Sequence, residues 1–460
     1  MILTTFLLII YFYFFTQVFK NSLKGETYFI LLYIIFFLPI YSNFQLILYK
    51  FSESELLVNL IKFSKDFIFY SLFIIFIFGS SFSFYKKKWN FTFLDKLFFF
   101  FMLLVLIFLI FPIGEANFIS KVLYAKNLFI IGIVYFLGRQ NKFSSKKIPK
   151  IFKILTIIFS ISCGLALLEY VFQTHVHTIL EYAKYNLDFN DILPSGNYQL
   201  SWTFERQGVL PRYGSFFADP LEFSASLLLA LSIAFFYFIH SKIRNNKFIF
   251  LTLMFFYLLG FYLSFSRSAI LGIIVIIFFT LIITRSYKTL SRLILSFSVL
   301  FFSYYYFSDL ETKYFILDTL SFQNTSSIGH LIEWIEGIDS IINSPLGIGL
   351  ATSGNASSVD QAIGIGGENQ FLILGVQLGL LGIILYSSIL IKSIYNCSKL
   401  YMYENNNHNL KMISFVTSCA KIGLVIPLMT ANAEIYSFIS LITWFFVGFC
   451  ESHYQNLLNK

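Results

Sequence analysis

Apolar residues run along this chain in long blocks, separated at fairly regular intervals by short clusters of charge. Blocks at Ile2–Phe19, Tyr28–Tyr49, Phe67–Phe84, Leu97–Ile113, Val122–Leu137, Ile151–Phe172 and Phe217–His240 are each about long enough to cross the hydrocarbon core of a bilayer. So are Phe248–Leu263, Ala269–Thr284, Leu293–Phe307, Phe371–Ile394, Met412–Met429 and Ile435–Cys450. Lipid satisfies no exposed backbone polar group, so each block must be a helix. The pattern therefore predicts an all-α polytopic membrane protein with about 12 to 13 transmembrane helices. The first block has no basic segment before it and no small-residue cleavage site before Lys20, which predicts a retained helix.

Two polar stretches interrupt the rhythm, and the rest of residues 1–460 reads as a single integral membrane domain. The first loop covers 173–216. The second, 309–368, begins acidic at Asp309, Glu311 and Asp318 and ends in glycines, Gly347, Gly349, Gly354, Gly364, Gly366 and Gly367. Loops this long are usually functional or disordered. Function is favoured because HLIEWIEGIDSIINSP repeats Leu331, Trp334, Ile335, Ile338 and Ile342 at helical spacing. A helix of about 13 residues is too short to span, which predicts an amphipathic element along the outer interface or lidding the bundle, ending near Pro345.

Composition changes this picture little: 57% of residues are hydrophobic and 12% charged, which excludes a soluble enzyme. The net charge of +9 is a topology signal rather than a nucleic-acid footprint. Lys86, Lys87, Lys88 and Lys96 follow one span, and Arg139, Lys142, Lys146, Lys147 and Lys150 follow another. Lys242/Arg244/Lys247, Arg285/Lys288/Arg292 and Lys392/Lys399/Lys411 mark every second loop thereafter, so these loops are cytoplasmic and both long loops lie outside. Cys163, Cys397, Cys419 and Cys450 fall in spans or a cytoplasmic loop, where no structural disulfide is expected.

Candidate chemistry gathers outside. Arg206, Arg212 and Arg267 are the outer arginines, and a guanidinium grips phosphate oxygens through two parallel hydrogen bonds. A snorkelling anchor is the ordinary account of Arg206; Arg212 and Arg267, facing one compartment, are the better candidates for function. Asp219, before Pro220, has an ordinary role at a helix N-terminus. Glu368 fits the same account, yet it closes a glycine-rich loop and is positioned to take a proton from a sugar hydroxyl. His175 and His177 with Glu181 are part of a metal pattern without a clear third ligand. His330 opens the amphipathic helix, and Trp202 and Trp334 are the first candidates for stacking on sugar rings.

Four stretches then carry a resemblance: RYGSFFADPLEFSASLLLAL, LSFSRSAILGIIV, HLIEWIEGIDSIINSPLGIGL and GENQFLILGVQLGLLGIILY. In order and spacing they resemble the O-antigen polymerase and O-antigen ligase superfamily of bacterial envelope proteins. The resemblance covers the C-terminal half; the first half matches only as a run of helices. It implies a metal-independent inverting glycosyltransferase, without cofactor, at the outer face of the bacterial cytoplasmic membrane. Its substrates would be undecaprenyl-diphosphate-linked glycans as donor and acceptor, and its partner proteins a chain-length regulator and a flippase. By this resemblance Arg212 and Arg267 would hold the donor diphosphate. From the residues themselves, Glu368 is expected to be catalytic beside them and Arg206, Asp219, His330 and Trp334 to bind substrate. Ligases carry a histidine where this chain has Glu368, which favours the polymerase branch; many members carry an arginine where it has His330. The alternatives are a ligase that transfers glycan to an acceptor lipid, and a flippase for lipid-linked oligosaccharides.

Overall fold

The computed structural model describes residues 2–78, 91–140, 144–206, 210–241, 243–307, 310, 313, 325–354 and 365–458. The end of the expected Phe67–Phe84 span lies outside these residues, as do Lys86, Lys87, Lys88, Lys142, Lys242, Asp309, Glu311, Asp318 and Gly364.

Among the described residues, 9 helices are long and apolar enough to cross a membrane. The chain is an all-α polytopic membrane protein. In chain order the helices are α1 (Ile2–Leu23), α2 (Tyr28–Phe37), α3 (Tyr41–Ser52), α4 (Glu55–Phe78), α5 (Phe93–Ile110), α6 (Phe118–Arg139) and α7 (Ile148–Phe172). Then come α8 (Val176–Ile179), α9 (Tyr182–Asn190), α10 (Pro220–His240), α11 (Arg244–Ser264), α12 (Arg267–Ile283) and α13 (Tyr287–Phe307). An amphipathic helix (Thr325–Asn343), a kinked helix (Gln370–Tyr403), a helix at His408–Gly423 and a last helix (Ser437–Leu458) complete the chain.

Local chemistry sets the boundaries. Thr92 and Asp95 form a reciprocal capping box at the start of α5. Asp219 caps α10 with Pro220 at its first position, and Ser266 caps α12. Pro39 splits the second expected span into α2 and α3. The third expected span begins much earlier than its apolar core, at Glu55. Lys62, Lys65 and Asp66 are only partly exposed and engage protein groups, so their polarity does not end the helix.

Loops expected inside and outside gather at opposite ends. At one end Asn407 donates to Ser145 at 3.0 Å, Tyr401 and His240 meet at 3.3 Å, and Arg139 holds buried Asp95 at 3.2 Å. At the other, Lys50 donates to the Ile179 carbonyl at 2.7 Å and Lys184 to Glu53 at 2.5 Å. The 173–216 loop, expected outside, folds in part into α8, α9 and a small hairpin of β1 (Glu205–Arg206) and β2 (Leu210–Pro211).

α6 and the last helix pack closely through glycines. A Cβ on Gly138 would meet the Phe445 carbonyl, and one on Gly448 the Tyr135 carbonyl. The kinked helix breaks at Gly379, whose φ of 73° suits glycine. The carbonyls freed on the helix accept from Ile348 N (2.8 Å) and Gly349 N (3.1 Å), while Leu380 N donates to Pro345 O (2.9 Å). The SPLGIG segment thus re-enters the bundle and completes a broken helix with its own backbone. A Cβ at Gly379 would stand 2.4 Å from Pro345 O. Gly379→Ala is therefore expected to cost about 1–3 kcal/mol, read as a lowered thermal midpoint in detergent. Gly164→Ala is the control and should not lower it, because an added methyl there meets nothing within 4 Å.

The amphipathic helix is longer than the pattern predicted, 19 residues rather than about 13. It packs on the kinked helix through Gly337, which faces Gly366 and Leu372. Leu331, Ile335, Ile338 and Ile342, one stripe at helical spacing, are exposed, as an element lying in the lipid interface requires.

Candidate functional site

The site is built where α7, α10, α11, the kinked helix and the last helix reach the end of the bundle that carries the 173–216 loop. The β1–β2 hairpin sets Arg212: its backbone N–H donates to Phe204 O at 2.8 Å, and that of Tyr213 donates to Leu263 O at 3.1 Å. These bonds lay the arginine segment against the end of α11. Phe265, left-handed at φ 46°, turns the chain there, and Ser266 starts α12, so Arg267 occupies its first position and is exposed. The Arg206 guanidinium lies 4.5 Å from the centre of the Phe265 ring. All three arginines thereby reach one turn.

Their electrostatics agree with that geometry. Burial lowers the pKa of Arg212, and the positive charges of Arg267 and Arg206 lower it further, against the pull of Asp219 and Glu368. The Nε groups of Arg206 and Arg212 are buried without a hydrogen-bond partner among the described residues. Buried donors of this kind are normally satisfied. Three guanidiniums facing two carboxylates leave a net positive site, suited to a phosphate-bearing ligand.

Asp219 Oδ1 accepts from Glu222 N at 2.7 Å. Burial pushes the Asp219 carboxyl up to about 6; backbone donors at Glu222 and Leu221 pull it down, Glu368 raises it and Arg212 lowers it. From the ordinary value of 3.8 to about 6, the folded chain holds a proton that the unfolded chain has shed. Stability must therefore fall as pH rises through that window. Asp219→Asn keeps a capping side chain and should remove this slope from a plot of thermal midpoint against pH.

Glu368 ends the turn formed by Gly366 (φ 90°) and Gly367 (φ 57°). Asn369 caps the kinked helix, its Oδ1 accepting from Phe371 N (3.0 Å) and Leu372 N (3.3 Å), so capping does not account for Glu368. The turn is held by a bridge between Ser353 and Ile365. Gln377 supports it, donating to Ser353 O at 2.9 Å and accepting from Ala351 N at 2.9 Å.

Three residues of this site were not singled out in the sequence. Tyr436 is buried, and its phenol is held well above the ordinary range by burial and by Asp219, Glu368 and Glu222, partly offset by Arg212. It stays a neutral O–H among carboxylates. Read inside the span Ile435–Cys450, it looked like one more membrane aromatic; the polar run from Asn432 to Glu434 was the signal that a turn stood there. Glu222 accepts from Ala218 N (3.1 Å) and Phe438 N (3.4 Å), tying α10 to the start of the last helix and so bringing in Tyr436. Glu169, at the end of α7, accepts from Val176 N and Ser215 N, both at 2.8 Å, and braces the segment that carries Arg212.

His330 and Trp334 take no part in the contacts that join the arginines to Asp219, Glu368 and Tyr436. His330 Nδ1 lies 3.4 Å from Glu333, and Glu333 packs against Gly367, so Glu333 is the side chain that reaches the neighbour of Glu368. Trp334 Nε1 is buried without a partner among the described residues. Trp202 is exposed. His175 and His177 are core rings: His177 packs on Phe204 at 4.7 Å and His175 on Tyr213 at 5.2 Å. Burial holds them at about 4 and about 3, uncharged at neutral pH. Glu181 is turned instead to Lys50, at 3.2 Å. Among the described residues no group of three His, Cys, Asp or Glu is arranged to hold a metal ion.

Residues 250–387 match the model of the O-antigen ligase family. The chain thus carries a domain of the O-antigen polymerase and ligase superfamily. The matched stretch holds Arg267, His330, Trp334 and Glu368, while Arg206, Arg212 and Asp219 precede it. The match indicates glycosyl transfer on lipid-linked glycans by a multi-pass membrane protein. Comparison with curated proteins finds no match.

Proposed function

We propose that this chain polymerises undecaprenyl-diphosphate-linked oligosaccharide repeat units into O-antigen, capsule or a related polysaccharide at the outer face of the bacterial cytoplasmic membrane. The observation that carries this reading is the convergence of Arg206, Arg212 and Arg267 with Asp219, Glu368 and Tyr436 at one outer end of the bundle. Arg212 and Arg267 hold the donor's diphosphate and stabilise the charge that grows on it as it leaves. Glu368 takes the proton of the acceptor hydroxyl, whose oxygen bonds to the anomeric carbon from the face opposite the leaving group. The bond from that carbon to the diphosphate oxygen breaks, and undecaprenyl diphosphate departs with the electron pair. One displacement inverts the anomeric centre, and no metal or cofactor takes part. The amphipathic helix, through Glu333 beside Gly367, holds the catalytic turn at the interface where lipid-linked glycans are presented.

The description of the matched family favours a second reading, a ligase that transfers finished glycan to an acceptor lipid. Deleting the gene separates the two. A surface ladder collapsed to acceptor lipid with a single repeat unit is the result expected for a polymerase. Bare acceptor lipid, with long polymer stranded on undecaprenyl diphosphate, would overturn it in favour of the ligase. A chain-length regulator and a flippase are the partner proteins that this reaction calls for.

A further inference from the structure

A second cationic cluster stands apart from the arginines, on α4 and α6. Lys62 and Lys65 lie about 10 and 15 Å along α4 from its outer start, and Lys126 about 12 Å along α6. Lys126 Nζ pairs with Asp66 at 2.6 Å and Lys65 Nζ lies 3.9 Å from the same carboxylate. Lys62 lies 4.0 Å from the centre of the Phe189 ring and Lys65 4.6 Å from that of Tyr41. The three ammoniums are close enough to repel one another. All three are partly exposed, so a ligand can reach them. Two of these cations share the Asp66 carboxylate and the third adds a further positive charge beside them, an excess inside a membrane bundle whose cost a bound anion removes.

Two neighbours say which anion. Toward the cytoplasm, the same face of α4 continues from Asp66 through Tyr70 and Phe73 to Ile77, and α6 continues from Lys126 to Phe129 and Phe136. Of these, Phe73, Ile77, Phe129 and Phe136, with Phe76 and residues of α5, line an apolar groove of about 580 Å³. Ile77 and Leu106 on its wall are exposed, so the groove opens to lipid. On the other side, Lys65 acts electrostatically on Glu222, which in turn acts on Tyr436 beside Asp219 and Glu368. The cluster therefore has an apolar groove for a lipid tail below it and is coupled electrostatically, through Glu222, to the carboxylates of the arginine site.

We infer that Lys62, Lys65 and Lys126 form a second diphosphate site, which holds the lipid-linked acceptor with its polyprenyl tail in the α4–α5–α6 groove. This rests on the polymerase reading, in which donor and acceptor both carry a lipid diphosphate and must be bound together. The arginines take the diphosphate that leaves. The lysines take the one that stays on its glycan, which needs a hold but no stabilisation of growing charge, a task that point-like ammoniums fulfil.

The test is a binding titration of the full-length protein in nanodiscs with radiolabelled undecaprenyl diphosphate. Wild type should bind two molecules per chain. Lys62→Gln with Lys65→Gln should bind one, leaving the Lys126–Asp66 pair in place to preserve the fold, and Lys62→Arg with Lys65→Arg should restore two. Two molecules on the glutamine variant, or one on wild type, would overturn the inference. Displacement of the second molecule by discs rich in phosphatidylglycerol would also overturn it, making the cluster a general anionic-phospholipid site. Arg212→Ala with Arg267→Ala should lose the other molecule. If that variant keeps both while the lysine variant loses one, the arginine reading fails and the lysine site stands.

Discussion

Arg212→Lys and Arg267→Ala are each expected to cut polymer synthesis at least about a hundredfold, with the protein inserted at normal levels. Removing one preorganised donor from a site of developing charge has an effect of that order in other enzymes. Lysine keeps the charge at 212 but loses the planar fork that meets two phosphate oxygens at once. The fold should be indifferent: Arg212 is fixed through its backbone N–H to Phe204 O, which any residue supplies, and its Nε makes no bond to the described protein. In Arg267→Ala, relief of repulsion with Arg212 should steady the unliganded site. Arg206 differs, because its guanidinium rests on Phe265. Arg206→Ala should cost only a few-fold, about what a half-buried cation–π contact contributes. The readout is the polysaccharide ladder beside the pool of lipid-linked single repeats. Ladders of wild-type length in the Arg212 or Arg267 variants would remove the arginines from the mechanism.

Periodicity and charge made the spans and their alternation legible, because lipid leaves the backbone few choices. They failed where side chains rather than solvent satisfy a polar residue. Lys62, Lys65 and Asp66 stand before the apolar block Phe67–Phe84, yet α4 runs through them because Tyr41, Phe189 and Lys126 receive them. Arg212, Arg267, Asp219 and Glu368 were legible as charges at span ends. Their convergence was not, since it depends on the β1–β2 hairpin, the left-handed Phe265 and the carbonyls freed at Gly379. Tyr436 and Glu222 were hidden for the opposite reason: each lies within an apolar run whose periodicity outweighs one polar group. His330 and Trp334 show the limit of spacing arguments. They share a helix that reaches the site, but the side chain turned to Gly367, beside Glu368, is Glu333.

Glu368→Gln is the second large effect expected, a loss of about 10²–10⁴-fold in chain growth with donor binding retained. Glutamine keeps the size and a hydrogen-bonding carbonyl but accepts no proton at working pH. Structural damage is a poor rival explanation, because Asn369 rather than Glu368 caps the kinked helix, and Ser353 and Gln377 hold the preceding turn. Asp219 is the other carboxylate in reach, and burial pushes it up to about 6. The two are separable. Asp219 is occupied as the cap of α10, accepting from Glu222 N, and Asp219→Asn preserves that bond. Asp219→Asn should therefore keep most of the activity while Glu368→Gln loses it. Single-turnover transfer measured against pH adds an independent check: wild type should lose rate as the pH falls and the base takes up a proton, and the residual rate of Glu368→Gln should lack that limb. Full activity in Glu368→Gln, with the acid limb abolished instead in Asp219→Asn, would move the base from the turn before the kinked helix to the start of α10.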